Sequence, residues 1–165
     1  MQSGGLVKQC AEMGMAVALV DLHQHMVDAA AAELSELYPD TRTAAIQCDV
    51  GDAESVQGCA EAAVQSAFLG TPIGAVFANA GVIFNKTILR SRIEDFELTL
   101  RVNVIGVVNT IQAFVPLLQE QDTPSVMCST ASVGGISRGD GGGAAYQVHL
   151  PLLDESIIFW SFFWN

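Results

Sequence analysis

Two spacings of apolar residues alternate along the chain. Residues 6–14 (LVKQCAEMG) place apolar side chains at helical intervals and end on Gly14, a residue suited to stopping a helix. Residues 15–21 (MAVALVD) are a continuous apolar run closed by Asp21, the pattern of a parallel strand buried on both faces. The Ala-rich segment 26–38 is strongly helix-forming, and Pro39 stops it. A second short strand is expected over 43–50 (TAAIQCDV), after which Asp52 can cap a helix over 53–68. Then come a strand over 73–81 (IGAVFANAG), a long helix through 95–119 and a strand over 124–132 (PSVMCSTAS). Residues 134–143 hold six glycines in ten positions and read as a loop. This alternation implies right-handed βαβ units and a doubly wound parallel sheet with helices on both faces, a three-layer α/β/α architecture. Neither an internal repeat nor a linker divides the sequence, so one domain is the economical reading.

Composition supports a packed core and narrows the partners. Half of the 165 residues are apolar and only 15% are charged, which is a globular rather than a disordered composition. The 18 acidic against 7 basic residues give a formal charge of −11. Nucleic-acid and anionic-membrane binding are disfavoured, because both select a basic footprint and no Lys/Arg cluster supplies one. Cys10, Cys48, Cys59 and Cys128 show no C-x-x-C spacing and read as reduced, mostly buried thiols of a cytoplasmic protein. His23 and His25 form an H-x-H beside Asp21, but without a third ligand cluster nearby they make no metal site. The start, MQSGGLVKQ, lacks the basic-then-apolar pattern of a secretion signal, and the apolar end, SIIFWSFFWN, is too short to span a bilayer.

Ligands of open parallel sheets bind beyond the carboxyl ends of the strands, so the polar residues there are the first candidates for function. Asp21 could accept both hydroxyl hydrogens of an adenosine ribose and repel a 2′-phosphate, or it could cap the following helix. Asp49 carries the same two readings. Asn79, Ala80 and Gly81 follow an apolar strand, where small residues let backbone approach a ligand, although such a segment is more often only a turn. Asn103 interrupts an apolar helical face (VNVIGVV), and a buried amide there needs partners, a neighbouring backbone carbonyl being the simplest. Ser129, Thr130 and Ser132 follow the last strand, and Tyr146 lies beyond the glycine-rich loop.

Taken together and in order, VALVDLH, CDV, FANAGV, RVNVIGVVNT, STASVGG and AAYQV resemble the short-chain dehydrogenase/reductase family. The resemblance runs from about Leu6 to Val148 and implies a Rossmann-like, dinucleotide-binding fold. It implies that Asp21 is the ribose-binding acid, which favours NAD over NADP, and that Asp49 and Val50 lie beside the adenine. Asn79, Ala80 and Gly81 resemble the segment that braces the central sheet and lines the cofactor cleft. Asn103 matches an active-site asparagine of a proton relay, Ser132 the serine that orients the substrate carbonyl, and Tyr146 the general acid/base. The activity implied is NAD(P)(H)-dependent oxidation or reduction of a small alcohol or carbonyl compound, with homo-oligomers formed through the long helices.

Three features depart from that family. Four residues after Tyr146, where the family carries a lysine that lowers the tyrosine pKa, this chain has Leu150 followed by Pro151. His149 is the nearby substitute, but it points to another helix face and is mostly neutral at pH 7. The opening strand and the T-G-x-x-x-G-x-G loop are absent, leaving Gly4 and Gly5 as helix-start residues and little of the pyrophosphate cradle. Beyond Val148 the pattern ends, so the expected organisation is a partial dinucleotide-binding domain over 1–148 and a divergent hydrophobic tail over 149–165. The missing strand is central in the order 3-2-1-4-5-6, so its two neighbours should expose edges and stability should be weak. The alternative to an active oxidoreductase is a catalytically inactive family member that acts, if at all, as an interaction module.

Overall fold

A computed structural model describes residues 4–130, Ser132 and Gly143. The chain divides into two compact units, Met1–Ile73 and Gly74–Asn165.

In the first unit, α1 (Gly4–Glu12) starts on the two glycines read from the sequence as helix-start residues. It ends as the sequence predicts: Gly14 has φ +76°, its N–H donates to Ala11 O at 2.9 Å, and Met15 N–H donates to Cys10 O at 3.0 Å. This pair of bonds on a left-handed residue is a Schellman termination, which satisfies carbonyls that the helix end would leave unpaired. Strand β1 (Val17–Asp21), helix α2 (Gln24–Leu37) and strand β2 (Thr43–Gln47) then form a β-α-β unit. The strands are parallel, in register from Val17 opposite Thr43 to Asp21 opposite Gln47. Two further bonds of 2.9 Å, Val17 N–H to Arg42 O and Cys48 N–H to Asp21 O, extend the ladder at its ends.

The core of this unit is Ala11, Val17, Leu19, Val27 and Leu34, contributed by α1, β1 and α2. The expectation that residues 15–21 are buried on both faces is corrected here. Val17 and Leu19 are buried, but Val20 is 42% exposed, because α1 and α2 pack their apolar side chains against the Val17–Leu19 side. Asp52 caps α3 (Ala53–Ala62) as expected, accepting from Glu54 N–H at 3.2 Å. The helical run continues to Phe68, but residues Ala63–Phe68 are π-helical, a change of hydrogen-bond step that the apolar spacing does not reveal.

In the second unit, strands β3 (Ala75–Ala78) and β4 (Val126–Ser129) are parallel, from Ala75 opposite Val126 to Ala78 opposite Ser129. Between them runs the long helix read from the sequence, in three parts. These are α4 (Ile93–Leu100), a π-helical segment (Arg101–Ile105) and α5 (Gly106–Glu120). By length and composition the run Ile93–Glu120 could cross a bilayer. Its buried residues, however, include Asp95, Thr99, Asn103, Asn109 and Thr110, the polar inventory of a helix packed on its own protein. The described strands form two parallel pairs, one in each unit, so every strand has one edge without a strand partner among the described residues.

Gly14→Ala tests the termination of α1. A Cβ at this position meets nothing within 4 Å, so the substitution reads backbone strain alone. We expect a loss of about 1 kcal/mol in urea-unfolding free energy; an unchanged midpoint would show that the left-handed conformation is not required.

Candidate functional site

The strand-end carboxylates of the first unit are already engaged in local turns. Asp21 is exposed at the carboxyl end of β1, and its Oδ1 accepts from His23 N–H at 3.0 Å, one residue before α2 begins. The two readings of this residue are therefore compatible, since a carboxylate can hold the turn with one oxygen and present the other to solvent. Asp49 and Val50 are half-buried just beyond β2. Asp49 Oδ1 accepts from Gly51 N–H at 2.8 Å, and Asp49 N–H donates to Ser55 Oγ at 3.0 Å. The turn leading into α3 is thus built on Asp49, with Asp52 as the helix cap.

In the second unit the segment after β3 is held at both ends. Asn79 Oδ1 accepts from Thr130 Oγ1 at 2.6 Å, which ties the carboxyl end of β3 to that of β4. Three residues on, the side chain of Asn103 clamps the backbone of Val82: Val82 N–H donates to Oδ1 at 2.8 Å, and Nδ2 donates to Val82 O at 2.9 Å. Asn103 is only 7% exposed, so both polar ends of its amide are satisfied in a buried setting where an unpaired group costs about 1–3 kcal/mol. Ala80 and Gly81 are exposed between these anchors, and a Cβ on Gly81 would stand 3.6 Å from Asn103 Oδ1, an ordinary contact. Asn103 lies inside the π-helical segment, where Gly106 N–H reaches back five residues to Arg101 O. Bulges of this kind are frequent at functional sites, because the widened turn re-aims the side chains it carries.

A second anchor holds the chain between β3 and α4. Lys86 Nζ lies 2.8 Å from Asp95 Oδ2, and the same oxygen accepts from Arg92 N–H at 3.0 Å. Asp95 is 2% exposed, and Lys86, followed by the Arg92 amide, holds its carboxyl below the ordinary range. Sequence reading missed Lys86, Asp95 and Thr130 as partners. The sequence reading began the helix at Asp95 itself, so the third-position acid that reaches back to Arg92 is visible only because the helix begins at Ile93.

Of the expected site residues, the structure brings Asn79, Ala80, Gly81 and Asn103 into one braced segment. Ser132 is half-buried three residues beyond β4. Tyr146, His149 and Leu150 lie outside the described residues.

A model of the short chain dehydrogenase family matches residues 4–147. The chain belongs to this family. It is 30% identical over 134 residues to a 3alpha-hydroxysteroid dehydrogenase of Mediterraneibacter gnavus, a match that covers 79% of this chain and 51% of that protein. A short-chain dehydrogenase/reductase of Burkholderia phymatum, solved in complex with NAD, has the same fold. It superposes with a TM-score of 0.80 at 24% identity, over 92% of this chain and 53% of its own. A short-chain dehydrogenase structure from Novosphingobium aromaticivorans gives 0.78 at 29% identity, over 90% and 55%. The chain therefore spans about half the length of these relatives. Its fold is the family's Rossmann fold.

The two anchors generate separate tests. Asn103→Ala leaves the Val82 N–H and C=O without their partner, and we expect a loss of about 2 kcal/mol in unfolding free energy by urea denaturation. For Asp95 the pKa is lower in the folded state, so its stabilisation is present above the unfolded value of about 3.9 and is lost as pH falls through the folded value. Unfolding free energy measured from pH 6 to pH 2 should therefore fall less steeply in Asp95→Asn than in the parent; parallel curves would contradict the ion pair.

Proposed function

We propose that this chain is an NAD-dependent oxidoreductase acting on a small alcohol or carbonyl substrate. The observation that carries the reading is the braced segment 79–82. Asn103 and Thr130 hold it rigid at the carboxyl ends of β3 and β4, the place where open α/β sheets take their ligands. The residues that do the holding are those by which the sequence resembles the dehydrogenases.

The described donor set fits the adenosine half of a nicotinamide dinucleotide. Asp21 presents an exposed carboxylate at the end of β1, suited to accept ribose hydroxyl hydrogens and to repel a 2′-phosphate, which favours NAD. Asp49 and Val50 would lie beside the adenine, and Asn79, Ala80 and Gly81 would line the cleft. The nicotinamide supplies or accepts the hydride. In this reading Ser132 donates to the substrate oxygen, and Tyr146 gives a proton to that oxygen during reduction or takes one from the alcohol during oxidation. Asn103 acts through the segment that it clamps.

Leu150 makes the two directions unequal. With Leu150 four residues on, Tyr146 lacks the cation that would favour its phenolate. A protonated phenol can donate in reduction at neutral pH, whereas oxidation needs the phenolate. The second reading, a catalytically silent member of the family, rests on this same Leu150 and the following Pro151. The free state of all four cysteines fits a cytoplasmic setting. Ile105, Val108 and Ile111, exposed by 47%, 42% and 39% along the outer side of the long helix, would be covered by a second copy of the chain.

Titration with NADH, followed by nucleotide fluorescence, is expected to show saturable binding that is tighter than for NADPH, with the preference lost in Asp21→Ala. Saturable NADH binding without carbonyl-dependent loss of NADH would select the silent reading; no binding of either nucleotide would overturn the proposal. If the enzyme is active, Leu150→Lys should move the alkaline limb of alcohol oxidation to lower pH.

A further inference from the structure

The tie between the two strand ends of the second unit also fixes which way an amide faces. Ala78 stands opposite Ser129 in the β3–β4 ladder, and Thr130 N–H donates to Ala78 O at 3.1 Å. Asn79 and Thr130 are the next residue on each strand, and Thr130 Oγ1 lies 2.6 Å from Asn79 Oδ1. That separation suits an O–H···O bond and is shorter than an N–H···O bond usually reaches. The hydroxyl therefore donates, Oδ1 accepts, and the N–H groups of Nδ2 are turned away from Thr130. Asn79 is half-buried, and its Nδ2 has no acceptor among the described residues. The buried side-chain atoms without a partner among those residues are the hydroxyls of Thr123, Ser125 and Ser129, so Nδ2 opens to solvent. On the reading that the chain binds a nicotinamide dinucleotide, we infer that Thr130 is a positioning residue. By holding Oδ1 it makes Asn79 a hydrogen-bond donor to an acceptor oxygen of the bound dinucleotide.

The direction of the amide selects the ligand atom. With its oxygen outward, Asn79 would offer an acceptor to hydroxyl or amide hydrogens. With Oδ1 taken by Thr130, the outward group is a donor, and the atoms that fit it are phosphate and ribose oxygens. Asn103 turns both ends of its own amide to Val82, so it is Asn79 that keeps a donor for a ligand in this segment. A donor held in place before the ligand arrives loses little freedom on binding, which is how a single uncharged contact can matter to affinity. Thr130 touches the ligand only through Asn79, and what it contributes is the choice between donor and acceptor.

The test is NADH titration of the whole chain by nucleotide fluorescence, with urea unfolding of each variant alongside. Thr130→Val removes the hydroxyl at nearly constant volume and should weaken NADH binding about fivefold, whereas Thr130→Ser should bind as the parent does. Asn79→Asp can still accept from the Thr130 O–H, so its urea midpoint should stay at the parent value. It presents an oxygen in place of the donor, and NADH should bind about tenfold more weakly. In Asn79→Leu, which carries neither group, adding Thr130→Val should weaken NADH no further. Parent-like NADH affinity in Thr130→Val or in Asn79→Asp overturns the inference, even where the urea midpoint of Thr130→Val falls. So does a Thr130→Val loss that recurs in the Asn79→Leu background. An unsubstituted chain that binds neither NADH nor NADPH removes the dinucleotide and this contact together; a parent that binds, with unaltered variants, removes the contact alone. Asn79→Asp keeps the strand ends tied and decides the matter if Thr130→Val fails to fold.

Discussion

The second unit depends on the amide of one buried asparagine. Asn103 offers one acceptor and one donor to the backbone of Val82, and Val82 returns a donor and an acceptor at 2.8 and 2.9 Å. A carboxylate could not donate to the carbonyl, and an apolar side chain would leave two backbone groups unpaired away from water. Because Asn103 sits in the π-helical part of the long helix, the clamp joins the helix between the two strands to the chain leaving β3. With the Asn79–Thr130 bond at the other end, four residues of irregular backbone become a fixed edge rather than a floppy turn. Pre-organisation of this kind is what a ligand site on a parallel sheet requires.

The first unit solves a different problem. Its single strand pair has helices α1 and α2 packed on one side, and the burial of Val17, Leu19, Val27 and Leu34 outweighs the exposed ion pair between Lys8 and Glu33 in holding them together. Two strand-end carboxylates, Asp21 and Asp49, sit where this packing ends. Asp21 and Asp49 each shape a turn, the first after β1 and the second between β2 and α3.

Much of this architecture was legible in the sequence because local rules and tertiary structure agree. Gly14 ends α1, Asp52 caps α3, and the strands and helices follow the expected order. The failures have a common cause. Val20 was expected to be buried because apolar spacing says nothing about which face of a strand finds a partner. The π-helical segments at Ala63–Phe68 and Arg101–Ile105 have ordinary helical composition, and the hydrogen-bond step is decided by what the side chains must reach. Lys86 with Asp95 and Asn79 with Thr130 are paired across elements, at separations that no short motif encodes.

By itself, then, the sequence determined the family, the parallel α/β class and the order of candidate residues, because these depend on periodicity and on which residue types occur at strand ends. It also determined that position 150 is a leucine, which bears on Tyr146 whatever surrounds it. Only the tertiary structure decided that Asn103 clamps Val82, that Asp21 can both hold a turn and face solvent, and that Asn79 is tied to Thr130. The physical reason is that these properties belong to pairs of atoms brought within about 4 Å by packing, and a linear pattern specifies one member of each pair at a time.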